Sequence, residues 1–378
     1  MDAPAIELTI KNFRALRDFV WAPSGLCLLS GANGAGKSST LDALLFLRAV
    51  FERGHEAAFQ IIGGQHLKHL DAPDDEPVEF SLRVGELRWV LRFPMGVMGT
   101  AGHFGEELHD GDVVRLRAGM FESFWHLGTE RQEHDEVRCC ARVLWDRETP
   151  SWMHPLVEVI SALRIYLPFE LRPLRRAELV ESRDSVLARN GRNLWPVLSN
   201  WRASPSRHRG QFDRVVEAAR RALPGLFVSM EFDRGLPVFF PSATTDPDRA
   251  LPAGRMADGL LSALLVLTGL IGAPPGSIVA FDEVESRLHP HAIRSLLATM
   301  REEVEARGLT VILTTHSPVV MNEFRDTPEQ VFVLEPSPDH PTVPNALSVL
   351  HAEAWLAQAK LGTLYDQLAF AAPPVQVE

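Results

Sequence analysis

Gly31-Ala32-Asn33-Gly34-Ala35-Gly36-Lys37-Ser38, followed by Ser39, fits the spacing G-x-x-x-x-G-K-[ST] of a phosphate-binding loop. Its flanks fit as well. Leu26-Cys27-Leu28-Leu29 is a short apolar run that predicts a buried strand. Leu41, Leu44, Leu45, Leu47, Val50 and Phe51 recur at helical spacing after the loop, and Gly54 supplies a stop. Small residues are required because successive backbone N–H groups must curl around a phosphate without side chains in the way. The pattern assigns Gly31, Asn33, Gly34, Ala35, Gly36, Lys37, Ser38 and Ser39 to the phosphates of a nucleoside triphosphate. Lys37 reaches the β/γ-phosphates, the Ser38 hydroxyl binds Mg²⁺, and the helix N-terminus adds its dipole. Lysine is scarce elsewhere, with four residues (Lys11, Lys37, Lys68, Lys360) against 34 arginines.

Composition narrows the class. A chain of 378 residues has material for one large domain or two. A net charge of −11 disfavours non-specific attraction of the whole chain to nucleic acid or membrane. Three cysteines, Cys27, Cys139 and Cys140, make no disulfide framework, and His134 with Cys139 and Cys140 lacks the paired spacing of a zinc site. The N-terminus carries no signal-peptide pattern, and the longest apolar run, Leu260 to Ile271, is too short to span a bilayer. A reducing cytoplasm is the expected location.

Along the chain, Ile6 to Ile10 alternates as a strand, followed by Asn12-Phe13-Arg14 and a second short strand around Phe19-Val20-Trp21. Val78–Val84 and Leu87–Phe93 predict a hairpin turning at Gly85-Glu86. From Ala101 to Thr149 the pattern is weak and hydrophilic. Ser161 to Arg221 then holds thirteen arginines against six acids, a net of +7, which leaves −18 on the rest. Two readings stand for this segment: a face for a nucleic-acid backbone or an acidic partner, or a helical lobe whose arginines are solvated or pair with acids of the remaining chain. Asp246-Pro247-Asp248 reads as a turn.

The second half holds the complementary parts. Ser277-Ile278-Val279-Ala280-Phe281 predicts a buried strand ending in Asp282-Glu283, a Walker B pattern in which Asp282 holds Mg²⁺ through a water and Glu283 polarises the attacking water. Pro290 opens a helix whose apolar face is Ile293, Leu296, Leu297, Met300 and Val304, and Gly308 ends it. Leu309 to Leu313 is the next strand, delivering Thr314-Thr315-His316-Ser317-Pro318.

These motifs together resemble the RecF/OLD-like "AAA family ATPases", which carry an ABC-type (SMC-like) P-loop ATPase head. The resemblance rests on Asn12-Phe13-Arg14 before the loop, on Asp282-Glu283-Val284-Glu285-Ser286-Arg287-Leu288-His289-Pro290, and on T-T-H-S-P. Ala257-Asp258-Gly259 before an apolar helix is similar to the family's S-D-G signature; Tyr166 to Arg172, Gly191-Arg192-Asn193-Leu194 and Leu361-Gly362-Thr363-Leu364-Tyr365 extend it. The resemblance implies an α/β fold: a head with a mixed sheet, formed by residues 1–99 and 226–378, and an inserted, largely helical arginine-rich lobe at 100–225. It also implies Arg14 near the nucleotide, His316 as a γ-phosphate switch, a Mg²⁺-sensing glutamine at Gln60 or Gln65, and a homodimer closed around two ATP·Mg²⁺. In that dimer Ala257, Asp258 and Gly259 face the partner's nucleotide. Ala257 stands where the family has a serine hydroxyl, and losing one hydrogen bond to a charged group costs roughly 1.5–3 kcal/mol of closed dimer. Slow hydrolysis of ATP is therefore expected, in DNA repair or anti-phage defence. The alternative is an ATP-gated scaffold with little turnover that regulates a separate effector. Too few residues follow His316 for an appended nuclease domain, and the chain lacks L-S-G-G-Q and N-K-x-D, which argues against a transporter subunit and a GTPase.

Overall fold

The computed structural model describes residues 5–63, 67–94, 104–120, 122, 124–133, 138–176, 183–204, 207–241, 250–335, 343–356 and 360–367, without the side chains of Arg209, Glu353 and Ala354. Strands β1 (Ile6–Phe13) and β2 (Leu16–Trp21) form a hairpin, and β3 (Leu26–Gly31) leads into the phosphate loop and α1 (Lys37–Arg53). Helix α1 ends where Gly54 takes φ 86°, and α2 (His55–Ile61) follows. Strands β4 (Val78–Val84), β5 (Leu87–Phe93), β6 (Gly105–Asp110), β7 (Val113–Ala118), β8 (Phe124–Leu127) and β9 (Glu130–Glu133) continue from β1 as one antiparallel sheet in the order β2-β1-β4-β5-β6-β7-β8-β9. The hairpin at Gly85-Glu86 is present as expected.

Helices α3 (Cys140–Glu148) and α4 (His154–Ala162) lead to β10 (Arg164–Tyr166) and then α5 (Leu171–Arg175), α6 (Leu194–Ala203) and α7 (Arg209–Ala222). A small sheet of β11 (Ser229–Asp233), β12 (Leu236–Phe240) and β13 (Leu251–Pro252) precedes α8 (Asp258–Ile271). Then come β14 (Ile278–Phe281), α9 (Pro290–Arg307), β15 (Thr310–Thr314), α10 (Pro318–Asn322), β16 (Val331–Leu334) and β17 (Asn345–Ala346). Short helices α11 (Leu347–Leu350), α12 (Glu353–Leu356) and α13 (Leu361–Asp366) finish the described chain.

The central sheet runs β10-β14-β15-β3-β16-β17, parallel except for β17. Every residue of β3, β14 and β15 is buried, as a parallel sheet covered on both faces requires. Alternation along these strands feeds two cores. Leu28, Val279, Phe281, Val311 and Leu313 join the core containing α8 and α9. Cys27, Leu29, Ile278, Ala280 and Ile312 join the core containing α1 and the antiparallel sheet. Because side chains alternate with period two, one sheet is thus sandwiched between two layers.

The expected boundary at residue 100 does not mark the start of a helical lobe. Residues 105–133 extend the antiparallel sheet, and β10 adds a strand to the central one. Their signal is weak because the strands are short and mostly wet on one face; β7 exposes Val113, Val114, Arg115 and Arg117. The helical, arginine-rich part is α5 to α7, and it packs on α8 and α9. Three of its arginines bind acids of the surrounding chain: Arg221 meets Glu302 at 2.9 Å, Arg214 pairs with buried Glu303, and Arg202 lies 3.8 Å from Glu231. Asp246-Pro247-Asp248, His134 and Gln65 lie outside the described residues.

Candidate nucleotide site

The parallel strands deliver their C-terminal ends to one edge, where α/β sheets bind ligands. Strand β3 opens the phosphate loop, β14 ends at Asp282-Glu283, and β15 ends at Thr314. Gly31 and Gly36 are glycines for steric reasons. A Cβ on Gly31 meets the Leu334 carbonyl at 2.7 Å, and one on Gly36, at φ 106°, meets Leu16 Cδ2 at 2.5 Å. Asn33 and Gly34 are exposed at the rim, Ala35 is buried, and Ser39 is half-buried.

Lys37 is buried and folds back on the loop, donating from Nζ to the Gly31 carbonyl at 2.7 Å and the Ala32 carbonyl at 3.0 Å. Burial pushes its amine down to about 8, against the upward pull of Asp282 and Glu283. Ser38 Oγ lies 3.2 Å from Asp282 Oδ2. The Thr314 hydroxyl donates to the other oxygen of Asp282 and accepts from the Glu283 backbone N at 3.0 Å. Glu283 takes φ 49°, a left-handed conformation uncommon for a non-glycine residue, so the loop sets its direction. The hydroxyl of Ser38 and the carboxylate of Asp282 are hard oxygen donors set together, a pair that suits Mg²⁺.

His316 follows β15. Its backbone N donates to Glu285 Oε1 at 3.1 Å, and Nδ1 lies 3.3 Å from the Tyr365 hydroxyl. Loss of water around the ring, then the charge of Lys37, holds the imidazole below its ordinary value, while Glu283, Glu285 and Asp282 pull the other way. Arg14, at φ 50°, turns toward α1: its guanidinium pairs with Asp42 and with the Ile62 carbonyl. Burial raises the Asp42 carboxyl, and the charge of Arg14 opposes that shift. Gln60 sits exposed on α2; the residues that follow β10, beside the Walker B strand, are Leu167, Pro168 and Phe169.

Ala257, Asp258 and Gly259 start α8 and are held by other parts of the chain. Ala257 is the N-cap and offers no side-chain cap. Arg175 Nη1 donates to the Met256 carbonyl at 2.6 Å and the Gly254 carbonyl at 3.2 Å, and its other nitrogen pairs with Asp258. A Cβ on Gly259 meets the Arg287 carbonyl at 3.1 Å, so the signature segment packs against the chain leaving Glu283. Arg175, Thr314 and Tyr365 were not distinguished as site residues by sequence, since each acts through a partner distant in the chain.

Cys139 and Cys140 are buried beside Glu106, which accepts from the backbone N of Cys140 and Ala141 at 2.5 and 3.0 Å. Among the described residues, no group of three or more His, Cys, Asp or Glu could hold a metal ion, and no helix is long and apolar enough to cross a membrane.

Comparison with known proteins bears on the fold. A family model described as "AAA domain, putative AbiEii toxin, Type IV TA system" matches residues 144–322, and one described as "AAA domain" matches 7–53. Protein ea59 of Escherichia phage lambda is 39% identical over 70 residues, which cover 18% of this chain and 13% of that protein. The DNA replication and repair protein RecF of Nitrosococcus oceani is 24% identical over 200 residues, covering 44% of this chain and 54% of RecF. The chain thus spans about half or less of the length of these relatives. Among solved structures, an SMC head bound to the C-terminal winged-helix domain of ScpA superposes with a TM-score of 0.56 at 15% identity, covering 92% of this chain and all of that one. An SMC head with an extended coiled coil, bound to the C-terminal domain of ScpA derived from Pyrococcus furiosus, gives 0.52 at 13% identity, covering 88% and 94%. At these identities the likeness is one of fold. The chain is thus similar in sequence to AAA-domain and RecF-like P-loop proteins, and its fold is that of an SMC head.

Proposed function

We propose that the chain binds ATP·Mg²⁺ at this edge and hydrolyses it slowly to ADP and phosphate, two copies closing around two nucleotides. The observation that carries this reading is the convergence of Ser38, Asp282, Thr314 and Glu283 from three strands onto the mouth of the phosphate loop. Mg²⁺, held by Ser38 and Asp282, supplies positive charge to the phosphate oxygens. Lys37 leaves its own loop carbonyls to neutralise the β/γ-phosphates, so its present hydrogen bonds are exchanged for stronger charge-assisted ones. Glu283 orients and polarises the attacking water, and His316 donates to the γ-phosphate. The backbone N–H groups at Gly31, Asn33, Gly34, Ala35, Gly36 and Ser39 line the phosphate chain, and Arg14 stiffens the start of α1 through Asp42. Ala257, Asp258 and Gly259 close over the partner's nucleotide.

The same likeness supports a role in DNA repair or anti-phage defence in the cytoplasm, RecF being by its name a replication and repair protein. Exposed Arg172, Arg176, Arg183 and Arg207 are the arginines of the lobe best placed to meet DNA or an acidic effector. One observation favours a second reading, an ATP-gated scaffold with little turnover: the α8 N-cap is an alanine with no hydroxyl to offer. Turnover with and without DNA separates the two. The direct test of the site is Lys37→Ala, which abolishes ATP binding in a titration while leaving the fold intact; unchanged affinity overturns the assignment.

A further inference from the structure

The backbone around His316 is pinned on both sides. Thr315 Oγ1 accepts from the Ser317 N at 2.9 Å, and Ser317 Oγ caps α10 by accepting from the Val319 N at 3.3 Å. The His316 N–H is taken by Glu285. None of these bonds fixes the imidazole ring, which still turns about two side-chain bonds. What meets the ring is the Tyr365 hydroxyl on α13, 49 positions further along the chain.

Helix α13 is seated closely enough to make that contact specific. Gly362 packs against α10 so tightly that a Cβ there falls 2.3 Å from the Pro318 carbonyl oxygen and 2.9 Å from Asn322 Nδ2. The Gly362 N donates to Asn322 Oδ1 at 2.9 Å, and Leu361 and Leu364 are buried. The chain has two tyrosines against twenty phenylalanines, and a phenylalanine at 365 fills the same space without reaching Nδ1. A partner on one ring nitrogen of a histidine decides which way the other faces and which of them carries the proton.

We propose that Tyr365 is a positioning residue for His316: its hydroxyl holds Nδ1 so that Nε2 faces the γ-phosphate, making the C-terminal helix α13 a structural part of the ATP site. This rests on the reading of His316 as a γ-phosphate contact. In this proposal Tyr365 and α13 act through the ring of His316 and make no contact of their own with the nucleotide. Their effect runs through the ring, so they alter turnover more than binding.

The test is a double-mutant cycle in ATP turnover on the full chain, combining Tyr365→Phe and His316→Ala. Tyr365→Phe lowers kcat by about tenfold, the worth of one hydrogen bond, with KM for ATP little changed. It causes no further loss once His316 is Ala, because two residues acting as one unit are not additive. Gly362→Ala, which unseats α13 but keeps the hydroxyl, repeats the loss. A second readout needs no turnover. In a long-range ¹⁵N–¹H correlation, the imidazole signals that vanish in His316→Ala report one tautomer, and Tyr365→Phe changes it. Tyr365→Phe with wild-type kcat, the same loss in both backgrounds, or an unmoved His316 signal overturns the inference. Wild-type turnover in His316→Ala alone instead overturns the parent reading of the switch histidine.

Discussion

Ser38 Oγ and Asp282 Oδ2 lie 3.2 Å apart although 244 positions separate them in the chain. Their strands, β3 and β14, are not neighbours; β15 runs between them. The end of β15 supplies Thr314, whose hydroxyl ties the Asp282 carboxylate to the Glu283 backbone. The pair proposed to hold Mg²⁺ therefore depends on a residue outside either motif.

Thr314→Val tests that dependence. The hydroxyl is buried, and the isosteric methyl leaves the Glu283 N–H without its acceptor, at a cost of about 1–3 kcal/mol in unfolding free energy. Glu283 is then no longer aimed, so kcat falls more than ATP affinity. Chemical denaturation and steady-state kinetics check both; a variant as stable and active as wild type contradicts the bridge.

His316 gives a pH prediction with a definite sign. In the free protein, desolvation and Lys37 hold its imidazole below the ordinary value against Glu283, Glu285 and Asp282. Bound ATP adds negative charge where the ring faces, which raises that value. Binding then takes up a proton, so ATP affinity rises as pH falls through the window between the two values. NMR titration of His316, with and without ATP in Glu283→Gln, measures it. A titration indifferent to ATP removes His316 from the γ-phosphate.

How much of this was legible in the sequence follows from what is local. Gly31 to Ser38, Asp282-Glu283 and T-T-H-S-P are contiguous, and the strands carrying them are continuous apolar runs bounded by turn residues, which the structure reproduces nearly to the residue. The hairpin at Gly85-Glu86 and the helix from Pro290 to Gly308 were readable for the same reason. Strands β6 to β9 were not, because an edge-ward strand such as β7 exposes most of its residues and loses the alternation that marks a buried face. Strand β10 is three residues long, too short for any period. Arg175, Thr314 and Tyr365 acquire their roles by meeting residues 83, 32 and 49 positions away, information carried by packing and not by spacing. The charge of the 161–221 segment was visible, but its pairing with Glu302 and Glu303 on α9 required the fold.

Arg175→Met tests the support of the signature segment. It removes the guanidinium from the Gly254 and Met256 carbonyls and from Asp258, while keeping most of the side chain's bulk. The α8 N-terminus is then less ordered at the place proposed to meet the partner's nucleotide. Sedimentation in the Glu283→Gln background shows the ATP-dependent dimer weakened by roughly tenfold, one hydrogen-bonded charge contact, and weakened more than ATP binding itself. Equal loss in both places contradicts a role confined to the dimer.

The central claim is that ATP joins two copies and hydrolysis releases them. Glu283→Gln keeps the size and hydrogen-bonding capacity of the side chain but removes the carboxylate that polarises the water. Light scattering of that variant, without nucleotide and then with ATP·Mg²⁺, measures the claim most directly. The predicted result is the mass of one chain without nucleotide and of two chains with it, while the wild type dimerises only transiently. A mass that ignores ATP contradicts the account.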